Sequence, residues 1–229
     1  MSLNGGIRDN AISLGGWEGI SYCNNCHNGI PLNDVIIRPD NPTGSPFWNP
    51  WGDSPPSPGG GIGNSSNVGN FIIDKSTQDK YPKFTDLIKR LESFVANDKK
   101  VLDALIKWSG YNREQILEKV KFGQGPTIVV KELTGKYGYF DRAENPNVIN
   151  IDASWVRGLE AANLLETQEA TGFFLAVTAL HEFVHQSRAA NGLDRNYEYG
   201  YGFEQSAFGL IIENDGVAPY NYRFRLYKK

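Results

Sequence analysis

Apolar residues recur at helical spacing from about residue 84 onward. Phe84, Leu87, Ile88, Leu91, Phe94 and Val95 fall three or four positions apart, which predicts an amphipathic helix. A second helix is expected near 99–108, carrying Val101, Leu102, Leu105, Ile106 and Trp108. A third starts at Asn112, whose side chain can cap it, and buries Ile116, Leu117 and Val120. The pattern then shortens to strands. Thr127 to Leu133 are β-branched and apolar, Tyr137 to Phe140 are aromatic, and Val148 to Ile151 follow Pro146. Helical spacing returns near Trp155 to Leu165 and strengthens from about Gln168 to Ala190, with Gly192 as a stop. A last helix is expected over Phe203 to Ile212. Helices, a small sheet and then helices again make an α+β layout, not alternating βαβ units.

Before Phe71 no such periodicity exists. Residues 1–70 hold 13 of the 25 glycines and 8 of the 12 prolines, but only 7 of the 49 charged residues. Prolines at that density prevent helices and interrupt sheet ladders. The chain therefore divides into an irregular Gly/Pro/Asn-rich arm, residues 1–70, and an α+β domain, residues 71–229.

Charge narrows the function. A net charge of −3 with no basic block argues against a nucleic-acid binder that works by counterion release. No apolar run is long enough for a membrane span. The N-terminus lacks the charged start and apolar core of a secretory signal. Cys23 and Cys26, the only cysteines, are too few for a disulfide framework.

The sharpest chemical feature is His181-Glu182-Phe183-Val184-His185. Four residues apart on a helix, His181 and His185 aim two imidazoles at one tetrahedral metal ion such as Zn2+. Glu182 lies about 100° round the helix, where it can reach a water on the metal without being a ligand. Zinc lowers the pKa of such a water to about 7, and Glu182 can take its proton as attack on a carbonyl begins. Phe173, Phe174, Leu175, Val177, Leu180, Phe183 and Val184 surround the pair, so the helix is buried, and buried imidazoles need partners.

A catalytic zinc needs a third protein ligand. Outside this motif the only histidine is His27, in the arm, so a carboxylate must serve. The candidates are Glu204, Asp194 and Glu198. A ligand on a helix is held more rigidly than one in the 192–202 loop, which favours Glu204. For the oxyanion, Tyr197, Tyr199, Tyr201, Arg188 and Arg195 are the available donors near the motif.

The stretch from Gly172 to Gly209 resembles the zinc metallopeptidase toxin domains at the C-termini of bacterial polymorphic toxins, often of Rhs type. The counterparts are Leu175 to His185, Gly192 with Asp194, and Phe203 to Gly209. The resemblance implies a zincin-like fold with a small mixed sheet beside the active-site helix, and a glutamate third ligand matching Glu204. It also implies a secreted or delivered effector that hydrolyses a peptide or protein substrate, and a cognate immunity protein. By the same resemblance, the strand Asn147 to Asp152 would pair with extended substrate. Two other readings share some of these features: a housekeeping or self-processing peptidase, and a non-catalytic module whose motif holds a structural ion or none.

The arm carries one anomaly. Cys23-Asn24-Asn25-Cys26-His27 has the C-x-x-C-H spacing of haem attachment. No pocket or second axial ligand is evident near it, and a structural zinc would need a fourth ligand. Free thiols or a local disulfide are the simpler reading.

Overall fold

The computed structural model describes residues 73–194 and 196–227. The arm, the Cys23–His27 motif and Arg195 lie outside the described residues.

Four helices come first: α1 (Lys75–Lys80), α2 (Pro82–Asn97), α3 (Lys99–Ser109) and α4 (Arg113–Val120). Local chemistry sets their ends. Asp74 caps α1 and Pro82 opens α2 at its first turn, where a missing N–H costs nothing. Asp98 accepts from the backbone of Lys100 and Val101 to start α3, and Gly110 ends it at φ 83°. Asn112 and Gln115 form a reciprocal capping box on α4. The helix α1 carries no buried residue, which is why apolar spacing did not reveal it.

Three short strands follow: β1 (Thr127–Lys131), β2 (Gly138–Phe140) and β3 (Val148–Asp152). They form one mixed sheet in the order β1-β3-β2. β1 runs parallel to β3, with Ile128 opposite Ile149. β2 runs antiparallel to β3, with Gly138 opposite Ile151 and Phe140 opposite Ile149. The central strand β3 is thus paired on both sides. It cannot accept a substrate strand, which corrects the expectation for Asn147 to Asp152; among the described residues β2 is the edge strand that packs against α6.

Asp152 turns the chain from sheet to helix. One of its oxygens caps α5 (Ala153–Ala161) at Ser154 and the other accepts from the Leu133 N–H. Then comes α6 (Leu165–Ala190), 26 residues and about 39 Å long. It is buried nearly all round, from Thr167 to Ala189, as a helix at the centre of a core must be. Phe173, Phe183 and Phe203 are fully buried around it. α2, α3, α5, the sheet and the later elements all pack against it.

α7 (Tyr199–Phe208) begins four residues earlier than expected and stops at Gly209, φ 81°. A 3-10 turn (Ile212–Asn214), α8 (Ala218–Tyr222) and α9 (Phe224–Tyr227) complete the described chain. Arg225 ties this end back to Asp98 at 2.5 Å, beneath the rings of Phe208 and Tyr222. Among the described residues no helix is long and apolar enough to cross a membrane.

Candidate metal centre

The helix α6 carries His181 and His185 on one face, as their spacing requires, with Glu182 next to that face. The two imidazoles meet through Nε2, 3.3 Å apart. Glu198, the residue that caps α7, brings Oε1 to both: 3.2 Å from His181 Nε2 and 2.5 Å from His185 Nε2. Ligands of a tetrahedral zinc, each at about 2.0–2.1 Å, stand about 3.3 Å from one another. The His–His and His181–Glu198 separations have that size.

The other nitrogen of His181 faces a different carboxylate. Nδ1 lies 2.6 Å from Oε1 of Glu204, which is fully buried on α7. Glu204 Oε2 accepts from the backbone N–H of Ile212 at 2.6 Å and of Glu213 at 3.3 Å. In the neutral ring a carboxylate at Nδ1 favours the proton there, which would leave the Nε2 lone pair available to an ion.

Of the three carboxylates weighed from the sequence, only Glu198 meets the Nε2 pair. Glu204 meets His181 alone, from the far side of the ring. Asp194 is engaged in the loop, where its carboxylate accepts from Asn196 N–H and the Tyr199 hydroxyl and its carbonyl accepts from Arg188. The tyrosines also separate. Tyr197 stacks on Trp108, Tyr199 lies tilted against it, and Arg188 lies over the Tyr199 ring at 3.4 Å. Tyr201 alone sets its ring edge-on to His181, centroids 5.2 Å apart.

Two glycines let these groups approach. A Cβ on Gly200 would lie 2.2 Å from His181 Nε2, inside the ring's van der Waals surface. A Cβ on Gly138 would lie 2.6 Å from Glu182 Cγ and 2.9 Å from Thr178 Cγ2. α7 therefore sits flush on one histidine, and the edge strand β2 passes directly over the glutamate. Neither contact has a signature in apolar spacing.

The centre is rich in acid. Glu198, Glu204 and Glu213 gather at the imidazoles, Glu182 stands beside them, and Glu213 Oε1 is buried near the Thr178 hydroxyl. Burial pushes the Glu182 carboxyl above its ordinary range against the pull of His181 and His185. Burial likewise drives Glu213 up to about 8. Burial alone would lower His181, but the charge of Glu213 and hydrogen bonds with Glu198 and Glu204 raise it well above the usual imidazole range. Burial would raise Glu198, but its bonds to both histidines hold it far below the usual carboxylate range. A divalent cation at the Nε2 pair would compensate this surplus of negative charge, so the donors present fit a metal.

A buried helix with two histidines one turn apart, a carboxylate oxygen against both and a glutamate beside them is a donor set that could hold a metal ion. The family model described as metallopeptidase toxin 3 matches residues 77–209, more than half of the chain, and the protein belongs to that family. The resemblance seen in the sequence is thereby established. The match takes in the HExxH residues, Glu198 and Glu204, and ends at Gly209, before the 3-10 turn that carries Glu213. Searches of curated proteins and of solved structures each returned no match.

Proposed function

We propose that this protein is a zinc-dependent endopeptidase of zincin-like fold that acts as a delivered toxin. The observation that carries the reading is the meeting of His181 Nε2, His185 Nε2 and Glu198 Oε1 beside Glu182. His181, His185 and Glu198 would hold the ion, and Glu204 would orient His181 through Nδ1. When bound, the ion supplies Lewis-acid polarisation of the scissile carbonyl and of the attacking water.

The remaining work falls to side chains. Glu182 accepts the proton released by the attacking water and returns it to the leaving amine, so that both transfers use one carboxylate. Burial holds the Tyr201 hydroxyl far above the ordinary phenol range, with the charges of Glu213, Glu198 and Glu204 acting in the same direction. It therefore stays protonated, and it is the tyrosine against His181 that can donate to developing oxyanion charge.

Substrate orientation comes from β2. Tyr137 O accepts from Asp152 N–H, so Tyr137 and, two residues on, Tyr139 turn their backbone groups toward β3. Gly138, between them, turns its N–H and C=O toward the open edge, beside Glu182. An extended peptide adding to that edge would bring its carbonyls over the site. A cognate immunity protein that covers this cleft fits the toxin family.

The test combines metal analysis with peptide hydrolysis. Purified protein should contain about one zinc per chain, lost in His185→Ala. Glu182→Gln should keep the ion and lose hydrolysis. Full activity in Glu182→Gln would remove the general-base role, and a metal-free active protein would remove the whole reading.

A further inference from the structure

Glu198 stands at the end of a loop, and a loop alone is a poor support for a metal ligand. Its side chain makes no cap bond to α7, so the helix start does not hold the carboxylate either. The residues on both sides of it are held instead. Tyr197, before it, stacks on Trp108 with centroids 6.2 Å apart. Tyr199, after it, lies under the Arg188 guanidinium at 3.4 Å and tilted against the same Trp108.

Arg188 joins these anchors. It follows His185 by three residues and His181 by seven, on the face of α6 that carries both. Its Nε and Nη2 donate to the Asp194 carbonyl at 2.9 and 2.7 Å, and its Nη1 donates to the Trp108 carbonyl at 3.1 Å. The Tyr199 hydroxyl closes the same loop by donating to the Asp194 carboxylate at 3.2 Å. Trp108 is tied in turn to α7. Its indole N–H donates to Ser206 Oγ at 2.8 Å, and a Cβ on Gly202 would lie 2.8 Å from its ring. One guanidinium thus connects α6, α3, the loop and the first residue of α7. All three of its nitrogens are bonded to backbone carbonyls, so it serves the loop and not the oxyanion. A planar fork that also stacks on a ring is a geometry that lysine cannot reproduce.

We propose that Arg188 is the positioning residue for Glu198: by fixing the residues on either side, it holds that carboxylate against His181 and His185 and so sets the affinity for the metal. The inference rests on the reading of Glu198 as a ligand. A carboxylate already in place needs no ordering when the ion binds, so loss of the support appears as weaker metal binding.

Zinc affinity of the full-length protein, measured by competition with a chelator, reads the effect without recourse to hydrolysis. Arg188→Met should weaken it about tenfold, the scale of groups that orient metal ligands. Arg188→Lys should weaken it nearly as much, since the charge survives but the fork and the stacking plane do not. A residue with a merely structural role would act alike with or without Glu198. In a Glu198→Ala background, titrated with zinc at the remaining imidazoles, Arg188→Met should therefore add less than about twofold. Saturation with cobalt(II) gives a second readout: the visible bands of Arg188→Met should shift from those of the wild type toward those of Glu198→Ala. Wild-type zinc affinity in both Arg188 variants overturns the proposal, and so does an equal loss in the Glu198→Ala background. Failure of both variants to fold, seen by circular dichroism, would make the residue structural and overturn it as well. Wild-type protein that binds no zinc would instead count against the metallopeptidase reading.

Discussion

The two ring nitrogens of His181 face opposite environments. On the Nε2 side, His185 and Glu198 are partly exposed, with side chains 24% and 17% accessible. On the Nδ1 side, Glu204 is fully buried and held by backbone donors of the 3-10 turn. One side is open enough for an ion, water and substrate to exchange. The other is a rigid support with its hydrogen bonds already made. On the proposed function the contrast separates ligands from the residues that aim them, although both sides present glutamates on or next to the same helix.

The largest effect should come from the open side. Glu198→Ala, like His185→Ala, should reduce zinc content from about one per chain to near zero while the fold persists. Metal analysis with a circular dichroism spectrum checks this. Retention of zinc in Glu198→Ala, with loss in Glu204→Ala, would reverse the assignment of the two sides.

Next comes the contact that brings α7 onto the ring. Gly200→Ala should destabilise the fold by about 1–3 kcal/mol, since a Cβ there meets a rigid imidazole. It should also weaken zinc binding, because His181 is the group displaced. A thermal melt with and without zinc separates the two losses, and unchanged affinity would show that α7 can yield without moving His181.

The supporting side should show a graded effect. Glu204→Gln should weaken zinc affinity by about 10–100-fold without abolishing binding. Competition with a chelator of known affinity measures it. Complete loss would indicate a direct ligand.

The smallest effect lies far from both sides. Asp74 caps α1, and its bonds to Ser76 and Thr77 lower its pKa to about 2 from 3.8. A depressed acid contributes stability above its unfolded pKa and loses it as pH falls. The contribution should be full above about pH 4 and gone below about 2. Asp74→Ala should cost about 1 kcal/mol or less at neutral pH, with zinc affinity unchanged. Denaturant unfolding at the two pH values is the check.

How much of this was legible in the chain depends on the range of the forces involved. The histidines and Glu182 declare themselves because helical geometry converts a spacing of four into one face. The helices α2, α3 and α4 are legible for the same reason, through apolar spacing and the Asn112 cap. The choice between Glu198 and Glu204 is not local. It depends on α7 starting at Tyr199 and on Gly200 letting the helix touch His181, so that the helical glutamate lands behind the ring and the capping one in front. Which strand is the edge is likewise a matter of sheet order, and β3 reads as well in sequence as β2 does. Glu213 has no motif around it; only the return of the chain after Gly209 brings it to His181.

The most direct test of the central claim is anomalous difference density at the zinc edge from a crystal of the metal-loaded protein. One peak is expected, bonded to His181 Nε2, His185 Nε2 and a Glu198 carboxylate oxygen, with Glu204 still on His181 Nδ1. A peak bonded to Glu204 in place of Glu198, or none at the two histidines, would contradict the account.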